Sequence, residues 1–284
     1  MPAFSPLWPA QLDHLRRESD APEAVVAFYR DAFGYAVQEI GPDIWLLDAF
    51  NRRLLVTRGE KGGQSMAAFR LNGRAQLDAL RAHARAQGLM ALPNPTPLFS
   101  EGFALADPDG RVLAFGLPDA AFAGAGPTTG AGALPGRLQH VVYATTDLPR
   151  LIEFYVGKLG FRTSDDVMRG NEVTATFWRS DAEHHSLAAF RAPKAGGDHH
   201  AYETTGWNDI KEWADHMAAC RIKLWWGPGR HGPGNNLFFM VEDPDGYKVE
   251  ISAELETMGP DFAARRWEHG ERALNLWGGA WLRS

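Results

Sequence analysis

One segment of this chain occurs twice, and the repeat limits the fold more than any other feature. Residues 237–250 read as an apolar run, the turn Asp243-Pro244-Asp245-Gly246, and a second run that ends at Glu250. Residues 103–115 follow the same plan around Asp107-Pro108-Asp109-Gly110, with Ala114 in the place of Glu250. Asp-Pro and Asp-Gly steps turn the chain because proline presets φ and glycine accepts a positive φ. The likeness extends upstream. Leu138-Gln139-His140-Val141-Val142 matches Leu12-Asp13-His14-Leu15-Arg16, and residues 151–161 match residues 25–35. Apolar residues at helical spacing, Val25, Val26, Phe28, Tyr29 and Phe33, predict a helix over residues 21–33 that Gly34 stops. Each half then reads strand, helix, strands, and again strand, helix, strands. That order predicts an α+β architecture with antiparallel character.

The boundaries follow from the repeat. Residues 1–118 form the first unit, and the small, Gly-rich stretch 119–136 reads as a linker. Residues 137–257 form the second unit. A tail at 258–284, carrying Trp267, Trp277 and Trp281, has no counterpart in the first half and is expected to cap the second. The length of 284 residues suits two domains. A net charge of −6 with no basic cluster argues against nucleic acid as a partner. Cys220 stands alone, which excludes an internal disulfide and a thiolate metal cluster. No apolar run reaches membrane-spanning length, and residues 1–11 lack the basic-then-apolar pattern of a signal peptide, so the expected location is cytoplasmic.

Three residues of the second half fall on corresponding strands of the repeat: His140, His200 and Glu250. Their first-half equivalents are read as His14, Ala67 and Ala114, so two of the three positions are blank there. An acid in one copy and a methyl in the other point to one functional and one structural half. Two imidazoles and a carboxylate around one cavity describe a facial triad for Fe(II), with Mn(II) or Zn(II) as alternatives. His199 competes with His200. It is read as occupying the slot of Gln139, which by strand alternation turns it to the opposite face.

With these residues in place, the chain resembles the vicinal-oxygen-chelate superfamily and, within it, the type I extradiol ring-cleavage dioxygenases. The resemblance covers roughly residues 10–255. It is sharpest at Gly229-Arg230-His231, followed after seven residues by Phe239 to Gly246 and then Glu250, where Met240 replaces the family tyrosine. It implies two tandem modules of paired βαβββ units, with the metal site in the C-terminal module. It also implies an Fe(II)-dependent enzyme that opens a catechol-type diol with O2, and a homo-oligomer. In this likeness His185 is the acid–base residue and His231 a hydrogen-bonding residue near the substrate. His184 adjoins His185 as a lesser candidate.

Methionine cannot donate a hydrogen bond, so Tyr143, Tyr202 and His231 are the alternative donors. Met240, Tyr202 and Trp226 are taken as substrate-contacting residues, with Trp225 as a second choice beside Trp226. Trp207 and Trp213 are read as packing residues. Met240 keeps open a metalloenzyme of the same fold with lyase, isomerase or hydrolase chemistry. An aromatic-ligand binding protein is a further alternative.

Overall fold

A computed structural model describes residues 5–122, 134–259 and 261–280. Most of the stretch read as a linker, and Trp281, lie outside the described residues. The first half runs β1 (Gln11–Ser19), α1 (Pro22–Phe33), β2 (Ala36–Gly41), β3 (Ile44–Ala49) and β4 (Arg52–Arg58). It continues with β5 (Gly63–Arg70), α2 (Arg74–Ala86), β6 (Leu92–Pro93), β7 (Phe99–Ala106) and β8 (Val112–Pro118). The second half repeats the order with β9 (Arg137–Thr145), α3 (Leu148–Ile152, continued by a π-helical stretch at Glu153–Leu159), β10 (Arg162–Arg169), β11 (Glu172–Arg179) and β12 (Leu187–Arg191). Then come β13 (Gly196–Thr204), α4 (Trp207–Ala219), β14 (Trp226–Arg230), β15 (Leu237–Glu242) and β16 (Lys248–Ala253). The tail adds β17 (Arg265–Glu268) and α5 (Glu271–Leu274).

Each half is one sheet made of two βαβββ units. The first is ordered β2-β3-β4-β1-β5-β8-β7-β6, and the second β14-β15-β16-β13-β9-β12-β11-β10-β17. The units of each half meet at an antiparallel pair, β1 with β5 and β9 with β13. Helix α1 forms where the periodicity placed it. Val25, Val26, Tyr29, Ala32 and Phe33 are buried on one side, and Gly34 ends the helix at φ 67° in the left-handed region. In the repeated turn, Asp243 Oδ1 accepts the backbone N–H groups of Asp245 at 2.9 Å and Tyr247 at 3.0 Å. Asp107 Oδ1 does the same for Asp109 and Arg111. Gly246 and Gly110, at φ 80° and 88°, supply the left-handed step.

The two sheets share one apolar core that draws on both halves. Polar and aromatic groups of each turn reach across this joint. Arg17 of β1 is fully buried, donates to Asp243 Oδ2 at 3.0 Å and lies 3.5 Å over the Tyr247 ring. In the reciprocal place, the Tyr155 hydroxyl donates to Asp107 Oδ2 at 3.0 Å and Arg111 lies over Tyr143. A buried arginine facing a buried carboxylate holds the halves in one register, because removing either partner leaves a charge without its counter-ion. No helix among the described residues is long and apolar enough to cross a membrane.

Candidate metal centre

Strand register decides which side chains meet. In the antiparallel pair β9/β13, His140 stands opposite Ala201 and Val142 opposite His199. In the parallel pair β13/β16, Ala201 stands beside Glu250. Side chains of directly paired residues share a face and alternate along a strand, so His140, His199 and Glu250 point the same way. Their ligating atoms all lie within 4.8 Å of one another. Glu250 Oε2 is 3.3 Å from His199 Nε2 and 4.0 Å from His140 Nε2.

His200 is therefore not part of this group, which corrects the sequence expectation. It turns to the joint between the halves, where its ring stacks on Tyr29 and Tyr247 and its Nε2 bonds the Tyr202 hydroxyl at 3.0 Å. The sequence reading paired His199 with Gln139. The folded strands instead superpose on their tyrosines, Tyr143 with Tyr202, which matches His140 to His199 and Gln139 to Asp198. Tyr202 goes the same way as His200: its hydroxyl meets that of Tyr35 at 2.6 Å, away from the triad. Tyr143 likewise faces the joint, bonded to Gln64.

The residue before each histidine of the triad orients its ring. Gln139 Oε1 meets His140 Nδ1 at 2.5 Å, and Asp198 Oδ2 meets His199 Nδ1 at 2.6 Å. Gln139 donates its amide N–H to the His185 carbonyl at 2.6 Å, so its oxygen faces His140 as an acceptor. Both rings thus carry a proton on Nδ1 and turn Nε2 toward Glu250, the nitrogen a metal would take. Burial pushes His140 down to about 3 despite the pull of Glu250, so it is neutral. Burial works against protonation of His199 too, but Asp198 and Glu250 hold it above its ordinary value. For Glu250, burial is outweighed by the pull of the surrounding His199, His231 and His140 rings, and its carboxyl is held well below the usual carboxylate range.

These residues fit a divalent ion. Glu250 Oε1 accepts from Asn236 Nδ2 at 3.2 Å, whereas Oε2, on the triad side, is buried without a hydrogen-bond partner. A buried carboxylate oxygen left unbonded beside two imidazole Nε2 atoms is a ligand set for a borderline cation.

The same place in the first half cannot hold one. Its registers put Met66 where His199 stands and Ala114 where Glu250 stands. Met66, Ala68, Ala114, Leu55 and Phe99 pack into an apolar cluster there. His14 remains, with Asp13 on Nδ1 and Thr96 on Nε2.

A pocket opens over the triad. Its wall includes Val142, Phe177, Ala189, Met240 and Trp226, and residues of the tail, among them Ala273 and Leu274, close one side. Met240 stands directly opposite Glu250 in the β15/β16 pair, and Trp226 opposite Met240. His231 lines the same pocket. Its Nδ1–H reaches the Leu274 carbonyl at 2.5 Å, its ring stacks on Phe238 with centroids 3.8 Å apart, and its Nε2 lies 3.8 Å from Glu250 Oε2. His185 also lines it, with ring centroid 4.4 Å from that of His140. Burial and the neighbouring imidazoles hold His185 well below its ordinary value, so it is a neutral base. The structure thus gathers His140, Glu250, His185, His231, Met240 and Trp226 from the sequence reading, adds His199 and Asn236, and excludes His200 and Tyr202. Trp213 packs in the core, and Trp207 is partly exposed against Trp277.

Comparison with known proteins agrees with this geometry. Residues 137–251 match the model of the Glyoxalase/Bleomycin resistance protein/Dioxygenase superfamily. Metapyrocatechase 2 of Cupriavidus necator is 35% identical over 150 residues, covering 51% of this chain and 45% of that protein. A manganese-dependent 2,3-dihydroxybiphenyl 1,2-dioxygenase of Geobacillus genomosp. 3 is 28% identical over 147 residues, covering 49% of this chain and 47% of that protein. The matched segments thus span under half the length of these curated relatives. The crystal structure of homoprotocatechuate 2,3-dioxygenase from Arthrobacter globiformis superposes with a TM-score of 0.80 at 24% identity, over 98% of this chain and 92% of that one, a likeness of fold. The matched C-terminal module, set in a doubled βαβββ architecture, is similar to the Glyoxalase/Bleomycin resistance protein/Dioxygenase superfamily.

Proposed function

We propose that this protein is a metal-dependent extradiol dioxygenase that opens a catechol-type aromatic diol with O2. The observation that carries the proposal is the triad of His140, His199 and Glu250, with an unbonded Glu250 oxygen facing two imidazole Nε2 atoms at the floor of an apolar pocket. The curated relatives include a dioxygenase named for a dihydroxylated aromatic and described as manganese-dependent. Fe(II) is our first assignment, with Mn(II) next and Zn(II) a further alternative.

His140 Nε2, His199 Nε2 and Glu250 Oε2 would hold the ion. When bound, it acidifies a coordinated hydroxyl and lets electron density pass between diol and oxygen. The chain supplies the rest. His185 accepts the hydroxyl proton at its pocket-side nitrogen and returns a proton later as general acid. His231 Nε2 offers a second hydrogen-bonding point beside the substrate. Phe177, Val142, Ala189 and Trp226 pack against the ring and keep water away, and Met240 gives a polarizable thioether contact.

A second reading rests on Met240. No hydroxyl donor occupies the place opposite Glu250, which favours a non-oxygenase reaction on the same metal site. Oxygen uptake by Fe(II)- or Mn(II)-loaded protein, offered a panel of catechols, separates the two. Uptake with a coloured ring-opened product, lost in His199→Ala, supports the dioxygenase. Metal-loaded protein that consumes no O2 with any diol overturns it.

A further inference from the structure

Behind His185 lies a line of hydrogen-bonded groups that the reaction above does not use. His185 Nδ1 is 2.9 Å from His184 Nδ1, and His184 Nε2 is 2.9 Å from Asp165 Oδ2. Asp165, on β10, is ringed by donors. Arg265 Nε reaches Oδ1 at 2.7 Å, while Arg265 Nη2 and Trp267 Nε1 reach Oδ2 at 3.0 and 2.9 Å. His184 and the Asp165 side chain are fully buried. Arg265 and Trp267 come from β17, which pairs in parallel with β10 so that Arg265 stands beside Asp165. Arg265 is braced in turn by Glu256.

The direction of each bond can be read from its end. A carboxylate only accepts, so His184 Nε2 must carry its hydrogen toward Asp165. His184 is fully buried, where an added charge is costly, and it completes the site as a neutral ring. Its Nδ1 is then a lone pair and takes a hydrogen from His185 Nδ1. That leaves His185 Nε2 bare as the nitrogen free to meet a substrate.

We propose that Asp165 and His184 are positioning residues that fix His185 in its Nδ1–H tautomer, and that the docked tail, through Arg265 and Trp267, sets the polarity of this line. The proposal rests on the dioxygenase reading for its consequence: a proton leaving the diol hydroxyl forms a bond to His185 Nε2, and the resulting imidazolium keeps its Nδ1–H bond to His184. The tautomer itself needs neither metal nor substrate. The tail is therefore more than a cover, because its arginine helps dictate which nitrogen of His185, at the far end of the line, is basic.

Asp165→Leu tests this at similar size. It removes the acceptor of His184 Nε2–H, so the hydrogen of His184 is no longer held on that side and His185 loses its bias toward Nδ1–H. The experiment is 15N NMR of histidine-labelled, metal-free protein, with the His185 signals assigned by their loss in His185→Gln. The wild type should show His185 as an Nδ1–H ring with a bare Nε2, and Asp165→Leu should show a mixture of both tautomers. With metal and diol, Asp165→Leu should lower kcat about tenfold or more and leave KM within about threefold. A wild-type His185 that is Nε2–H, or a doubly protonated His184, overturns the proposal without any variant. So does a variant that folds yet keeps the tautomer and kcat. Should the protein turn over no diol, the dioxygenase reading fails while the NMR still decides the tautomer.

Discussion

His199 and His200 are neighbours in the chain that serve opposite faces of one strand: His199 Nε2 lies 3.3 Å from Glu250 Oε2, while His200 Nε2 bonds the Tyr202 hydroxyl at 3.0 Å. Substitution should separate their roles. His199→Ala removes one of three ligands and should abolish tight metal binding, measured by metal analysis after dialysis, with the fold intact by circular dichroism. His200→Ala should retain metal but lose about 2–4 kcal/mol of stability in urea, since it empties a stacked site between Tyr29 and Tyr247 and strands a buried hydroxyl. Loss of metal from His200→Ala alone would reverse this assignment.

Acid should destabilise the metal-free protein well before its carboxylates titrate. Burial holds His14, His140, His185 and His200 below their ordinary value, His140 at about 3. Below pH 6.5 the unfolded chain takes up protons on these rings that the folded one refuses, so stability falls as pH falls. Four carboxyls act in the other direction, Asp166 and Asp243 by smaller shifts than Glu203 and Asp181. Burial raises Glu203 to about 7 and Asp181 to about 6, and each favours the folded state at low pH and loses that contribution as pH rises. Four histidines against the two strongly shifted acids leave a net loss on acidification between pH 6.5 and 4.5, at most about 3 kcal/mol per pH unit. Urea midpoints across that range measure it; a midpoint that rises on acidification contradicts it.

Met240→Tyr places a hydroxyl opposite Glu250 at the pocket wall. For a diol-cleaving enzyme it should lower KM for catechol several-fold, at a cost of about 1–3 kcal/mol for the added bulk. Steady-state kinetics and a thermal melt report the two effects separately. Unchanged kinetics in a folded variant would show that the position does not meet the diol.

Substrate charge should matter. Among the described residues lining the pocket, the ionisable side chains are His140, His185, His199, His231, His269 and Glu250, with no lysine or arginine. A carboxylated catechol would bring an anion to a wall without a fixed cation and beside an anionic Glu250. Alkyl- or aryl-substituted catechols should therefore exceed carboxylated ones by about tenfold or more in kcat/KM, since an unpaired buried charge costs well over 1.4 kcal/mol. Equal rates for the two classes would point to a cation outside this lining.

Much of this was legible from the repeat. The doubled Asp-Pro-Asp-Gly turn, Gly34 after an apolar helical face, and the replacement of Glu250 by Ala114 located both modules and the functional half. His140 and Glu250 were readable because they fall on corresponding strands of the repeat, Glu250 between Val249 and Ile251. The choice between His199 and His200 was not settled by alternation alone, since alternation needs a reference. Anchoring β13 on its histidine chose the wrong one, whereas anchoring on Tyr143 and Tyr202 puts a bonding side chain, Gln139 or Asp198, before each ligand. Tyr202 was misplaced by the same slip. The role of His184 had no local signal, because its partners arrive from β10 and from a tail strand 100 residues beyond Asp165.

Strand β13 carries the triad on one face and the joint between modules on the other. Its reactive side is thus only as rigid as the stack of Tyr29, His200 and Tyr247 behind it. The repeat thus divides the labour: the copy without a ligand set is the anvil against which the other is held. A second module freed from the first would expose His200, Tyr202 and Tyr247 to water, and its imidazole–carboxylate spacing would drift with a strand no longer backed by anything.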